Sequence, residues 1–148
     1  MLLRELYQEM IIDHGKNPRN RGVLQHANHQ HAGHNPLCGD QLILQVFEQN
    51  GVVEEVCFEG TGCAISVASA SLMTESIKGK TVKEIERLFE DFHHLVTQGN
   101  EKNPQNNLGK LAIFAGVAAF PIRVKCATLA WHTLKAALED ENKPVSTE

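Results

Sequence analysis

Two runs decide the fold: Gln41-Leu42-Ile43-Leu44-Gln45-Val46-Phe47-Glu48 and Val52-Val53-Glu54-Glu55-Val56-Cys57-Phe58-Glu59, joined by Gln49-Asn50-Gly51. Leu42, Leu44 and Val46 alternate in the first run, and Val56 and Phe58 in the second, which is the period of a strand buried on one face. The Asn-Gly pair between them signals a hairpin. A two-residue turn at Asn50-Gly51 sets Leu42 and Leu44 against Glu59 and Cys57, mixing apolar and polar faces. A three-residue loop, Gln49 to Gly51, pairs Leu42 with Phe58 and Leu44 with Val56. Burial on one face favours this second register, because a one-residue slip turns every side chain over. Cys38 then faces Gly62, with Cys63 beside it, and in either register Cys38, Asp40 and Cys63 arrive at the open end of the hairpin. In a continuing strand Cys38 and Asp40, two apart, share a face.

Outward from the hairpin the pattern turns helical. Ile65, Ala68, Leu72, Met73 and Ile77 form a helix that begins just after Gly62-Cys63 and ends before Gly79. Thr81 and Glu84 have capping-box spacing at the head of a helix whose inner face carries Val82, Ile85, Leu88, Phe89 and Phe92. Gln98 to Asn107 reads as a polar loop, Leu108 to Ala119 as a short buried helix, and Pro121 to Leu138 as the last helix. That helix has Cys126, Leu129, Ala130, Leu134, Ala137 and Leu138 on one stripe. Upstream, Leu3 to His14 keeps helical spacing up to Gly15, Asn17 to Gly22 is turn-rich, and Gln25 to Pro36 shows little periodicity. The order predicts an α+β fold of two layers, a small antiparallel sheet with helices on one face. A single domain over 1–138 and a flexible polar tail over 139–148 complete the expected organisation.

Composition narrows the classes of function. The chain has 148 residues, 42% hydrophobic and 22% charged, the mixture of an ordinary globular domain. Lys and Arg total 14 against 18 Asp and Glu, a formal charge of −4, so no basic surface for nucleic acid is expected. No apolar run approaches the roughly 20 residues that span a bilayer, and Met1 to Tyr7 has no signal-peptide pattern. A cytoplasmic setting is expected, with neither membrane nor nucleic-acid partners.

Cysteines Cys38, Cys57, Cys63 and Cys126 stand outside any Cys-x-x-Cys pair. Cys38, Asp40, Cys63 and Cys126 make a plausible tetrahedral donor set for zinc. The spacing equally admits three buried structural cysteines, since free Cys behaves as a small hydrophobe. Cys63, and Cys126 near another helix start, would have their thiolates favoured by the helix dipole. Cys57 alternates with glutamates in mid-strand and reads as a bystander. Histidines His26, His29, His31 and His34 read as a solvated connector rather than a second metal tract, and His93, His94 and His132 as surface or interface residues. Arg123 and Lys125 bracket the approach to Cys126, as a solvated helix start or as cations that lower a thiol pKa.

Several blocks together are similar to one family. Tyr7 with Ile11-Ile12-Asp13-His14, then Asn17-Pro18-Arg19-Asn20 and Gly22, resembles the N-terminal signature of iron–sulfur cluster assembly proteins of the IscU/NifU type. Pro36-Leu37-Cys38-Gly39-Asp40, Gly60-Thr61-Gly62-Cys63-Ala64-Ile65-Ser66 and Val124-Lys125-Cys126-Ala127-Thr128-Leu129-Ala130 resemble its three cysteine motifs, in order. Lys125 stands where the scaffold branch has a histidine, and the stretch between Cys63 and Cys126 is longer, with Leu108 to Ala119 inserted. Both features resemble the SufU branch. Phe120-Pro121-Ile122-Arg123-Val124-Lys125 replaces the scaffold branch's chaperone-recognition stretch, which weakens the expectation of an Hsp70-type partner.

The resemblance implies a SufE/NifU/IscU-like fold and a zinc ion held by Cys38, Asp40, Cys63 and Cys126. It implies that Cys38 accepts persulfide sulfur from a SufS-type cysteine desulfurase, with downstream iron–sulfur assembly or acceptor proteins as further partners. As an enzyme the chain would be a zinc-dependent sulfurtransferase at most. Arg123 is the candidate for holding an incoming anion or the partner surface. Because zinc blunts a bound thiolate, Cys38 is expected to leave the metal when the partner docks. Two alternatives stand beside this: a scaffold holding iron or a [2Fe–2S] cluster on the same ligands, and a zinc-stabilised adaptor without sulfur chemistry.

Overall fold

A computed structural model describes residues 3–99, 108–140 and 142–147. The fold is α+β. Strands β1 (His29–Asn35), β2 (Asp40–Gln49), β3 (Val52–Thr61) and β4 (Val145–Ser146) form one sheet in the order β3-β2-β1-β4, antiparallel except where β4 runs parallel to β1. Helices α1 (Leu3–Lys16), α2 (Ala64–Ile77), α3 (Val82–Gln98) and α4 (Pro121–Leu138) stack over one side, with a 3-10 segment at Gly109–Ala119. Helix α4 lies on β1 and β2 and against α2, α1 packs on α2, and α3 meets α4 and the 3-10 segment. The core is the helix-facing side of the hairpin, Leu42, Leu44, Val46, Val56 and Phe58, closed by Leu72, Met73, Phe92, Phe114, Leu129 and Trp131.

The hairpin keeps the expected buried face by a different register. The turn is the two-residue Asn50-Gly51, with Gln49 opposite Val52 and Glu48 opposite Val53. A bulge then shifts the pairing, so that Leu44 faces Phe58, Val46 faces Val56 and Leu42 faces Gly60. Asn50 at φ 56 and Gly51 at φ 78 suit the tight turn. The extra residue restores the parity that the turn alone would have broken.

Four other expectations change. The segment read as a histidine-rich connector is strand β1, whose inward positions are His31, Gly33 and Asn35. With no apolar residue on the buried face, alternation could not show it. Residues 145–146 of the expected flexible tail pair with β1, Gly33 opposite Val145, and His31 Nε2–H donates to the Lys143 carbonyl at 2.6 Å. The helix expected over Leu108 to Ala119 is instead the 3-10 segment Gly109–Ala119, whose three-residue turn puts Leu111, Phe114 and Val117 on one buried line. The polar loop read at 98–107 lies almost wholly outside the described residues. Helix α1 also runs past Gly15, with the Asn17 N–H bonded to the Asp13 carbonyl at 2.8 Å.

The N-terminal signature is a clamp. His14 is buried with Nδ1 2.7 Å from Ser71 Oγ, which also accepts the Arg19 N–H at 2.8 Å. Asn20 donates Nδ2–H to Thr74 Oγ1 at 3.1 Å, and its carbonyl accepts the Phe58 N–H. These bonds tie α1 and the following turn to α2 and β3. At the head of α3, Thr81 and Glu84 form the expected capping box.

Candidate metal centre

The core ends in polar groups at the β1–β2 turn. Asp40 starts β2 in phase with Leu42, Leu44 and Val46, so its carboxylate points under the helices and is fully buried. Directly across β1 stands Asn35, also fully buried. Turn 36–39 carries Cys38 between the exposed Leu37 and Gly39, so Cys38 sits off the strand on which the sequence placed it. It is Asp40, rather than Cys38, that falls level with Gly62. Cys63 is the N-cap of α2, its sulfur accepting the Ser66 N–H at 3.4 Å. Cys126 lies in the second turn of α4, buried on the stripe with Leu129 and Ala130, deeper than the helix start expected for it.

Distances bring these groups together. Ligand atoms of Cys38, Asp40 and Cys126 lie within 4.8 Å of one another. The Cys126 thiol reaches Cys38 Sγ at 3.1 Å. Asp40 Oδ1 accepts the Cys63 N–H at 2.8 Å, and Cys63 Sγ is 4.0 Å from Asp40 Oδ2, placing Cys63 at the edge of the cluster. Asn35 donates toward Asp40 Oδ2 at 3.4 Å and Cys126 Sγ at 3.5 Å. Nothing in the sequence marked Asn35, because an Asn before Pro36 reads as ordinary turn chemistry.

Burial raises the Cys126 thiol far above its ordinary pKa, with the Cys38 thiol and Asp40 carboxylate adding to it. Burial also raises Cys63 and Asp40 adds to that, outweighing the Ser66 N–H that the helix start supplies. The helix-end stabilisation expected from sequence is thus present at Cys63 and too small to win. Among the described residues, no Lys, Arg or His forms an ion pair with Asp40. A buried carboxylate pressed against thiols without a counter-cation is costly, and a divalent ion removes that cost. Thiolate sulfur and carboxylate oxygen are donor types that zinc takes, with bonds of about 2.3 Å to sulfur, and here they converge within 4.8 Å of one another.

The remaining candidates lie elsewhere. Arg123 is exposed on the first turn of α4, with its guanidinium 4.4 Å over the Phe120 ring. Cys57 lies on β3, away from the cluster, half-buried opposite Gln45. His26 pairs with Glu55, and His29 bridges Glu48 and Asp140 at 2.9 Å each. His26 thus ties the segment before β1 to β3, and His29 ties β1 to β2 and to the turn after α4. His132 is half-buried against Phe89 and His93 between α3 and α4.

Residues 6–127 match the NifU-like N terminal domain family. The chain belongs to the IscU/SufU/NifU family. A zinc-dependent sulfurtransferase SufU of Bacillus subtilis is 42% identical over 94% of this chain and 93% of that protein. An iron–sulfur cluster assembly scaffold protein IscU of Streptococcus pyogenes is 41% identical over 93% of this chain and 85% of that protein. A crystal structure of a candidate iron–sulfur cluster assembly scaffold protein for the SUF system, from Fervidobacterium islandicum, superposes with a TM-score of 0.83 at 34% identity, covering 93% of this chain and 99% of that one. As a member of the IscU/SufU/NifU family the chain is an iron–sulfur cluster assembly protein, and Cys38, Asp40 and Cys126 form a group that can hold a metal. Among the described residues no helix is long and apolar enough to cross a membrane.

Proposed function

We propose that the protein accepts sulfane sulfur on Cys38 from a SufS-type cysteine desulfurase in the cytoplasm, with a zinc ion held by Cys38, Asp40, Cys63 and Cys126. One contrast supports this reading above all. Asp40 and Cys126 are buried, whereas Cys38 rides the turn 36–39 beside Leu37, which is 60% exposed. Of the three donors whose ligand atoms lie within 4.8 Å of one another, Cys38 is the one with exposed surface; Cys63, at the edge of the cluster, is also half-exposed but is held at the N-cap of α2. The relative named a zinc-dependent sulfurtransferase and the Lys125 position favour the same branch.

Zinc bound there supplies the positive charge that keeps the clustered thiols ionised at neutral pH. Cys38 Sγ, as thiolate, attacks the outer sulfur of the desulfurase persulfide. A new S–S bond forms at Cys38, the donor's S–S bond breaks, and its electron pair leaves on the desulfurase cysteine as thiolate. Cys38 carries away the persulfide for delivery to iron–sulfur assembly or acceptor proteins. Movement of turn 36–39 suffices for Cys38 to swing out while Asp40, Cys63 and Cys126 stay on their elements. Arg123, exposed one turn before Cys126, is the proposed contact for the partner or an incoming anion.

The test is alanine production by the desulfurase with this protein zinc-loaded, zinc-stripped, and as Cys38→Ala and Cys57→Ser variants. Strong stimulation by the loaded protein, lost on stripping and in Cys38→Ala and kept in Cys57→Ser, is expected. Equal stimulation by loaded and stripped protein, or by Cys38→Ala, would overturn the reading. The 41% identity to a protein named IscU supports a second reading, a scaffold for a [2Fe–2S] cluster on the same donors. Anaerobic reconstitution giving a stable cluster on protein that fails the alanine test would favour it.

A further inference from the structure

Asn35 has no exposed surface, and its side-chain amide is divided between the turn that carries Cys38 and the donor cluster. Its Oδ1 accepts the Leu37 N–H at 3.2 Å, inside the turn that carries Cys38. Since a backbone N–H only donates, Oδ1 must face the turn, which aims Nδ2 at the other side. There Nδ2 lies 3.4 Å from Asp40 Oδ2 and 3.5 Å from Cys126 Sγ. One amide therefore touches the turn of the accessible donor and two fixed donors from different elements, β2 and α4. The Cys38 N–H closes the arrangement by bonding the Asn35 carbonyl at 3.3 Å.

Each contact opposes a specific disorder. Asp40 Oδ1 is held by the Cys63 N–H, and Asn35 holds the other oxygen, so the carboxylate cannot rotate. Cys126 is reached from 91 residues away, which makes the amide a strut between sheet edge and helix. Its backbone pairs in register with Asp40, so the strut stands on the sheet itself.

We infer that Asn35 is the positioning residue of this centre: it keeps Asp40 and Cys126 aimed at one point, so that the metal is retained when Cys38 leaves to take up sulfur. The inference rests on the proposed zinc centre and goes beyond it by assigning the support that outlasts one ligand. Groups that orient metal ligands from behind typically carry 10–100-fold in metal affinity.

The experiment measures zinc affinity by chelator competition, and the visible spectrum of the cobalt-substituted protein, for wild type, Asn35→Leu, Cys38→Ala and the double variant. Leucine keeps the branched side-chain skeleton and removes all three bonds. Asn35→Leu alone should lose about 10-fold in affinity. Cys38→Ala should keep a measurable site, and the double variant should lose it by more than the two single losses combined. A purely structural role would instead lower the melting temperature of the metal-free protein and leave the affinities and the cobalt spectrum in place; that result overturns the inference. Wild-type protein that binds no zinc would sink the proposed centre itself, a separate failure. Should Asn35→Leu not fold, wild-type protein loaded with cadmium-113 decides the matter. The Asn35 side-chain amide protons should then exchange slowly and couple to the metal through the Cys126 sulfur, and amide signals indifferent to metal loading would overturn the inference.

Discussion

Gly62 shows how tightly single residues bound the centre. A Cβ there would come within 2.4 Å of Asp40 Oδ1 and 3.1 Å of the Asp40 Cα, and its φ of +158° lies at the edge of the region that favours glycine. Gly62→Ala should therefore turn the Asp40 carboxylate out of line and weaken zinc binding by about 10-fold, the scale of a lost orienting contact. Chelator competition checks this, and unchanged affinity would show that Asp40 has room to adapt. At this scale the donor types and their three motifs are legible in the sequence, and the structure brings Cys38, Asp40 and Cys126 together with Cys63 at the edge. Asn35 was not legible, because its role lies in what its amide touches across the fold. Arg123 was legible only as a cation, and the structure lays it on Phe120.

The elements that position the centre meet at Gly33. A Cβ there would be 2.1 Å from Thr133 Oγ1 and 3.2 Å from Leu129 Cδ1, so α4 rests directly on the β1 backbone. Thr133 cannot easily yield, as its hydroxyl donates to the Leu129 carbonyl at 2.8 Å and the residue is fully buried. Gly33→Val should lift α4 from β1 at a cost of about 1–3 kcal/mol, read as a lower urea midpoint. It should also loosen the metal, since Cys126 rides on α4 and Asn35 on β1. A variant with wild-type stability would show that the contact is slack. The same need for a small inward residue hid β1 from sequence reading: a strand facing a helix with His31, Gly33 and Asn35 shows no apolar alternation. Helices α2, α3 and α4 were legible because their periodicity and caps are local, as with the Thr81–Glu84 box. The hairpin register was not, because the bulge answers to the packing of both faces.

Across the whole molecule, the buried His14 and the half-buried His132 couple folding to pH. Burial lowers the His14 pKa and Arg19 adds to it, against the opposing pull of Glu75 and Asp13. Burial, then His93 and Lys135, lower that of His132. The unfolded chain takes up a proton near pH 6.5 that the folded protein refuses, so their contribution is complete above about 6.5 and is lost as pH falls below it. The urea midpoint should therefore fall between pH 7.5 and 5.5, and His14→Gln should flatten that slope. A midpoint that holds or rises across the interval would contradict this. Asp13, hydrogen-bonded by Arg19, and Glu84, by the Thr81 N–H, are lowered as well. Their loss comes only near pH 4 and below, in a separate window.

By itself the sequence determined what depends on near neighbours: the helices and their buried faces, the capping box, the hairpin's inward face, and the donor types in their motifs. Those follow from backbone sterics and side-chain period, which act over a few residues. Tertiary structure alone decided the hairpin register, the existence of β1 and β4, and the depth of Cys126. It also placed Asn35 behind Asp40 and Cys126. These depend on contacts between distant parts of the chain, such as the 88 residues separating Cys38 from Cys126. Their free energy exists only once helices and sheet have closed on one another.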